Sequence, residues 1–280
     1  MHERLLRGTR LEEYGGRLRT EQNWIGGGQY NPCSAVFVPP PPDRVDQLMF
    51  DLCAFSNRDD LPAIAQAAIT HAQFETIHPF VDGNGRTGRG LIHMILRRRG
   101  LTPRVVPPIS LILATWADDY VAGLTATRYV GAATSRAAQE GVDTWVGRFA
   151  AAASRAVSDA QAFESVAREW ETAWRSRVAP VRAKSALDLL LSGLPGVPLL
   201  TARSAADLIH RSIPAANNAV NRLVEAGVLT QVNVGRRNRA FEASDVIDAF
   251  TDLERRLASP TGDTRSSPPD RRAPARPRHK

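Results

Sequence analysis

Apolar residues recur at helical spacing along most of the first 178 residues. One helix is predicted to start from a cap at Asp60 and to end near Ile77, because Pro79 disfavours the helical conformation in the residue before it. Further helical patterns fill residues 108–178, and no strong strand pattern interrupts them. This part of the chain is therefore predicted to be mainly α.

Two regions depart from the helical pattern. Ser34–Val38, with the sequence SAVFV, is predicted to be a short strand, and the prolines at 39–42 are predicted to end it. Beyond residue 180 the pattern becomes a helix, a helix-turn-helix segment, two strands around a turn at Gly235 and a closing helix. That order is typical of a winged helix-turn-helix domain.

The sequence thus predicts three parts. Residues 1–178 form a helical domain, residues 180–256 form the winged helix-turn-helix domain, and residues 257–280 form a disordered basic tail rich in Pro and Arg. The tail is predicted to be disordered because it is nearly free of large apolar residues and cannot bury enough surface to fold.

Composition and charge argue against a membrane-spanning protein and against a disulfide-rich one. The chain of 280 residues is 43% hydrophobic and has a formal net charge of +7. Residues 258–280 carry six Lys/Arg and two Asp, so +4 of that charge lies in the tail and says little about the folded part. No apolar run is long enough to span a membrane, and two cysteines form no disulfide framework. The predicted location is the cytoplasm.

The stretch HPFVDGNGRTGR, residues 78–89, concentrates the candidate chemistry. Gly83, Asn84 and Gly85 tolerate left-handed backbone angles, and they precede a helix N-terminus whose free N–H groups favour an anion. Arg86 and Arg89 lie three residues apart on the first helical turn, where two guanidinium groups suit a polyphosphate.

Two further residues of the stretch complete the predicted site. Asp82 would repel phosphate unless a cation intervenes, which makes it a candidate Mg²⁺ ligand. His78 is a candidate general base, since a neutral imidazole can accept a proton at neutral pH. Each residue alone also fits a turn, an exposed helix face or a structural histidine. Together they favour a phosphate-transfer site.

The stretch resembles the signature of the Fic (Fido) family, His-Pro-Phe-x-Asp/Glu-Gly-Asn-Gly-Arg-x-x-Arg, at every specified position. The resemblance covers about residues 1–175. It implies a helical bundle with a small β-hairpin flap and a protein adenylyltransferase that moves AMP from ATP to a hydroxyl group of a target protein or of itself. His78 would deprotonate that hydroxyl, and Asp82 would hold Mg²⁺ against the α- and β-phosphates.

The resemblance also implies roles for the remaining residues of the loop. Gly83, Asn84 and Gly85 would form the anion hole, Arg86 would bind the β-phosphate, and Arg89 would bind the γ-phosphate.

Two implied contacts lie outside the loop. Tyr120 is a weaker match that would lie near the base and the nucleotide, with core packing as the alternative. Ser34–Val38 would belong to the flap that aligns a segment of the target protein by strand pairing.

Many family members block the second motif arginine with a glutamate of a Ser/Thr-x-x-x-Glu-Gly/Asn helix. No stretch of this sequence matches that pattern. The alternatives are a protein without such inhibition, a misassigned start codon, or a partner that supplies the glutamate. With Arg89 unopposed, the protein is expected to label itself with ATP and Mg²⁺.

Two other functions remain open on the sequence. One is a winged-helix transcriptional regulator whose Fic domain senses a nucleotide without turnover. The other is a Fic enzyme that transfers a different phosphate-containing group. DNA, contacted by Arg236, Arg237 and Arg239 of the wing, and a second copy in a homodimer are the further partners considered.

Overall fold

The computed structural model describes residues 1–28, 30–233 and 239–259. Contacts divide the chain into two compact units, Met1–Val157 and Ser158–Lys280. The described part is mainly helical, as predicted from the sequence, with one small antiparallel sheet. The helices and strands have the following bounds: α1 His2–Leu6, α2 Pro42–Ser56, α3 Ala63–Ile77, α4 Asn84–Arg98, α5 Ile109–Thr115, α6 Ala117–Ala126, α7 Arg136–Val178, α8 Ala186–Gly193, β1 Leu199–Thr201, α9 Ala202–Ile209, α10 Ile213–Glu225, β2 Thr230–Asn233, β3 Arg239–Glu242 and α11 Ser244–Arg256.

Helix α3 is the central helix of the first unit and packs against α2, α4 and α6. Small residues such as Ala67 and Ala68 are fully buried on it, which lets neighbouring helices approach closely. The fully buried Trp145 donates its indole N–H to the carbonyl of Ala68 at 2.7 Å. The helix is therefore held from several sides, and its C-terminal end presents His78.

The helix ends differ from the predicted ones by a few residues. Helix α3 begins at Ala63 after Pro62, and Asp60 does not cap it because its carboxylate accepts a hydrogen bond from Arg58 Nε at 2.9 Å. The sequence pattern predicts a start of the next helix around Arg86 or Thr87, but α4 begins at Asn84, because Gly83 adopts the left-handed conformation that lets the chain turn directly into the helix.

The predicted strand at Ser34–Val38 is reduced to a single isolated bridge. Residues Pro32–Ser34 form a short 3₁₀ helix, and Phe37 pairs with Ile25 in an antiparallel bridge. The pairing stays short on this side because the prolines from Pro39 onward lack the N–H groups that a longer ladder needs.

The second unit contains a three-stranded antiparallel sheet in the order β1-β3-β2, in which Phe241 of the central strand pairs with Leu200 on one side and Gln231 on the other. Helices α9 and α10 follow one another across a short turn, and α9 begins with a capping box between Thr201 and Ser204. Apart from strand β1, which the sequence did not predict, the order of the described elements agrees with the predicted one. The predicted wing, with Arg236 and Arg237, lies outside the described residues, so the winged-helix assignment stays a prediction.

Helix α7 explains why the predicted domain boundary at residue 178 does not coincide with the division at 157/158. From Ser158 onward the helix belongs to the second unit, where Trp174 and Val178 join the buried core and Trp174 donates to Asp245 at 2.9 Å. Hydrophobic periodicity continues through the helix and therefore marks no boundary. At the other end, Leu257–Ser259 are buried, and the rest of the predicted tail lies outside the described residues.

Candidate active site

The signature loop joins the C-terminus of α3 to the N-terminus of α4. His78 caps α3 in the left-handed conformation, with φ 47° and ψ 61°. Gly83 caps α4 with φ 77° and ψ 10°. These two left-handed residues bracket the loop, so the side chain of His78 and the free N–H groups of the first turn of α4 belong to one short connection.

Asn84 holds the loop together through its side chain. Its Oδ1 accepts the N–H of Phe80 at 2.9 Å, and its Nδ2 donates to the carbonyl of Phe80 at 2.8 Å. The oxygen and the nitrogen of the side-chain amide thus both bond to the backbone of Phe80, and the side chain is buried. Asn84 can therefore meet a phosphate only through its backbone N–H, while its side chain preserves the shape of the loop.

The ring of His78 accepts hydrogen bonds on one side. Nδ1 lies 3.0 Å from Asn23 Nδ2 and 3.3 Å from Asn84 Nδ2. Since the contacts with Phe80 fix the orientation of the Asn84 amide, an N–H group faces Nδ1, and the proton of the neutral ring lies on Nε2. Proton acceptance at Nε2 requires the other tautomer, with a hydrogen-bond acceptor at Nδ1. Asn23 Oδ1 is buried without a hydrogen bond from any described residue. Turning the Asn23 amide over would present this oxygen to Nδ1, but it would give up the bonds from Asn23 Nδ2 to the carbonyls of His78 at 3.3 Å and Phe80 at 3.2 Å.

The surroundings of His78 keep the ring neutral. Its pKa is lowered to about 4, mainly by burial and also by the positive charges of Arg19 and Arg128. Arg19 is itself buried and donates from Nε to the carbonyl of His78 at 2.9 Å. One arginine thus supports the backbone of His78 and disfavours protonation of its ring.

Asp82 and the two motif arginines lie at the start of α4. Asp82 Oδ2 accepts from Arg86 Nη2 at 3.1 Å, with both side chains about half exposed. Arg89 folds back over the first turn, and its Nη1 would lie 3.2 Å from a Cβ placed on Gly85. A side chain at position 85 would therefore crowd the arginine.

Arg128 is a charged residue beside the flap that the sequence did not single out. Its guanidinium carbon stands 3.5 Å above the centre of the Phe37 ring, a cation–π contact with the flap. Its Nε also donates to Thr76 Oγ1 at 3.4 Å, two residues before His78. Arg128 therefore connects the flap to the C-terminal end of α3.

Tyr120 belongs to a buried polar cluster behind the loop. Its hydroxyl lies 3.0 Å from His71 Nε2, and burial is the main reason that its pKa is raised. Glu75 is part of the same surroundings. Burial raises its pKa to about 7, although Arg89 and Arg128 act in the opposite direction. Glu75 Oε1 is buried and makes no hydrogen bond in the described part of the chain.

The structure places the loop residues in one short connection, and among the described residues Tyr120 contacts His71 and not His78. Sequence reasoning did not single out Arg19, Asn23, Glu75 or Arg128. Glu75 carries the one usable signal, an acid on a face of α3 that is apolar apart from His71, three residues before His78. The others come from distant segments and share no motif with the loop.

In the second unit, Arg222 is the one arginine of α10, the second helix of the predicted helix-turn-helix segment and therefore the helix that would enter the DNA groove. Its Nη2 donates to the carbonyls of Val178 at 3.0 Å and Pro180 at 3.3 Å. The side chain is thus engaged at the end of α7, which leaves it less available for DNA.

The Fic/DOC family model matches residues 1–96, a range that includes the whole signature loop. Residues 1–96 are a Fic/DOC family domain. The protein adenylyltransferase fic-1 of Caenorhabditis elegans is 34% identical to this chain over 127 residues, which is 44% of this chain and 23% of that protein. The protein adenylyltransferase Fic of Drosophila virilis is 36% identical over 96 residues, which is 33% of this chain and 18% of that protein.

The Fic domain is thus shared with longer proteins, and this chain spans less than a quarter of the length of these relatives. A crystal structure of a Fic family protein from Desulfovibrio desulfuricans G20 superposes with a TM-score of 0.44 at 25% identity, covering 86% of this chain and 66% of that one. No helix among the described residues is long and apolar enough to cross a membrane.

Proposed function

We propose that this protein is an adenylyltransferase that moves AMP from ATP to a hydroxyl group of a protein. The observation that carries the proposal is the complete signature loop, in which neutral His78 and the N-terminus of α4 belong to one connection within a Fic/DOC domain. The relatives named protein adenylyltransferase support the same activity.

In the proposed reaction, the oxygen of the target hydroxyl attacks the α-phosphorus of ATP and its proton passes to His78. The bond between the α-phosphorus and the bridging oxygen to the β-phosphate breaks, and pyrophosphate leaves. Backbone N–H groups of Gly83, Asn84 and Gly85 would bind phosphate oxygens, with Arg86 and Arg89 on the β- and γ-phosphates. Positioning and charge stabilisation suffice for such a transfer, and no covalent nucleophile of the enzyme is needed.

The residues present fit a Mg²⁺ ion that accompanies ATP. Mg²⁺ keeps several waters and usually takes one or two protein carboxylates besides the phosphates of its substrate. Asp82 is half exposed at the start of α4 and supplies one such carboxylate. No group of three or more metal-ligating side chains occurs among the described residues, so phosphates and water would complete the shell. Bound there, Mg²⁺ would neutralise charge on the α- and β-phosphates.

The proposed partners follow from the same geometry. The target would lie along the flap near Ser34–Val38, where Val36 is well exposed. Phe37 is held by Arg128, which would keep the flap close to the end of α3. Regulation through DNA binding by the second unit, homodimer formation and a cytoplasmic location stay predictions.

A labelling experiment tests the proposed activity and separates it from its alternatives. Purified protein is incubated with Mg²⁺ and ATP labelled either at the α- or at the γ-phosphate, and its intact mass is measured. We expect α-label to be retained together with the added mass of one AMP. A gain of one phosphate with γ-label would instead indicate a kinase-like transfer. A nucleotide sensor would show neither label nor added mass.

The substitution Asp82→Ala tests the metal ligand. We expect transfer to fall by about 100-fold at a fixed low Mg²⁺ concentration, because a lost metal contact forfeits several kcal/mol of charge stabilisation. Raising the Mg²⁺ concentration should restore part of the rate. The measurement is the initial labelling rate across a Mg²⁺ titration.

Asp46→Ala is the matched control for Asp82→Ala, since Asp46 is an exposed carboxylate on α2 and is not part of the signature loop. It should leave the Mg²⁺ titration unchanged. If Asp82→Ala also titrates like the unmodified protein, Asp82 is not the metal ligand.

A further inference from the structure

His2 contacts the outer side of the signature loop, although it lies 80 residues away in the sequence. We propose that His2 is a positioning residue that sets the orientation of the peptide unit between Asp82 and Gly83, and thereby aims the N–H of Gly83 at the anion site. The consequence for catalysis rests on the proposed function, whereas the orientation of the peptide follows from contacts within the chain.

The contacts of His2 determine which ring nitrogen carries the proton. Nδ1 accepts the backbone N–H of Gly16 at 3.0 Å, so the proton of the neutral ring lies on Nε2. Nε2 lies 2.9 Å from the carbonyl oxygen of Asp82 and donates to it. The ring also stacks on Phe80, with centroids 3.7 Å apart and planes 5° from parallel. Because the side chain is buried, these contacts are shielded from water.

The peptide unit between Asp82 and Gly83 is planar and trans, so the contact of His2 with the Asp82 carbonyl also fixes the direction of the Gly83 N–H. In a trans peptide unit, the C=O and the N–H point to opposite sides. The carbonyl of Asp82 points to His2, and the N–H of Gly83 is therefore turned away from α1. Within the described ranges this N–H has no hydrogen-bond partner in the chain, as is usual for groups at the start of a helix. It is thus available to a phosphate oxygen.

Because residue 83 is a glycine, the orientation of the 82–83 peptide depends on the hydrogen bond from His2. Gly83 adopts φ 77° here, and glycine populates negative φ about as readily. A rotation of the 82–83 peptide would exchange the places of the carbonyl and the N–H, which would present an oxygen to an anion. The hydrogen bond from His2 favours one of these two orientations, while the stacked Phe80 holds the ring in place for it.

Two substitutions separate the hydrogen bond from the packing. His2→Phe keeps a ring that can stack on Phe80 but removes both hydrogen bonds. His2→Gln loses the ring but places an amide Nε2 where the imidazole Nε2 donates. We expect His2→Phe to weaken the binding of ATP with Mg²⁺ by about tenfold, at the upper end of the usual effect of losing one hydrogen bond. His2→Gln should remain within about threefold of the unmodified protein.

Thr9→Ala is the control for loosening of the N-terminal segment, because Thr9 Oγ1 donates to the carbonyl of Leu6 at 2.7 Å and does not touch the loop. It should bind ATP as the unmodified protein does. Intact masses establish that all variants share the same N-terminus, and thermal unfolding establishes that they fold.

The readouts are calorimetric ATP binding and the Gly83 amide resonance of ¹⁵N-labelled protein during titration with inorganic phosphate. The resonance should shift in the unmodified protein and in His2→Gln, and stay in place in His2→Phe. Equal losses in both variants, or an unchanged His2→Phe, would overturn the proposal. Both readouts are independent of turnover, so a protein that binds phosphate in this way without transferring AMP would refute only the proposed function.

Discussion

His78→Asn is expected to reduce AMP transfer by roughly a thousandfold, because a positioned general base contributes about 10² to 10⁴ to such a reaction. Asparagine is the appropriate replacement since His78 has a left-handed backbone, which asparagine tolerates better than alanine does. The measurement is the initial rate of α-label incorporation, with thermal unfolding to establish that the variant folds.

The pH dependence gives an independent test of His78. Burial and the neighbouring arginines lower the pKa of His78 to about 4, so the ring is already unprotonated from pH 6 to 8. The acid limb of kcat/KM that belongs to this base should thus lie near pH 4 and not near the ordinary value of 6.5. The profile is measured by labelling at a series of pH values in one buffer mixture.

His93→Ala is the control, since His93 lies on α4 and is not part of the signature loop. It should keep nearly full activity. Transfer by His78→Asn at the unmodified rate would contradict the assigned role of the base.

Glu75→Gln is expected to stabilise the first unit at alkaline pH by about 3 kcal/mol. Burial raises the pKa of Glu75 to about 7 from an ordinary value of 4.5, and each unit of difference corresponds to about 1.4 kcal/mol. Glutamine keeps the shape of the side chain but cannot ionise. The variant therefore avoids the cost of burying a negative charge.

The sign of the effect follows from the raised pKa. The folded protein holds the proton of Glu75 more tightly than the unfolded chain does. Its stabilisation is complete below about pH 4.5, declines as the pH rises, and is lost once the pH passes about 7. The stability advantage of Glu75→Gln should accordingly grow by about 2 to 3 kcal/mol between pH 5 and pH 8.

Hydrogen exchange of the α3 amides measures this difference, because it reports the opening of the first unit separately from the second. Glu13→Gln removes an exposed carboxylate and serves as the control, with no growing advantage expected. A constant difference between Glu75→Gln and the unmodified protein from pH 5 to 8 would show that Glu75 is ionised in both states.

The sequence by itself was enough to predict the helical character of the chain and the residues of the signature loop. Both are encoded locally: Pro79 ends α3, the glycines open the loop, and the basic residues follow on α4. The small errors in the predicted starts of α3 and α4 have local causes too. Arg58 donates a hydrogen bond to Asp60, and Gly83 makes a left-handed turn, so both helices begin a few residues from the predicted positions.

Only the tertiary structure decided which residues surround that loop. Arg19, Asn23 and Arg128 reach His78 or the flap from separate segments, and His2 reaches the carbonyl of Asp82 across 80 residues. The physical reason is that hydrogen bonds, burial and pKa values depend on distances in space. Local sequence patterns report periodicity and turns, and they are silent about which buried partner a side chain will meet.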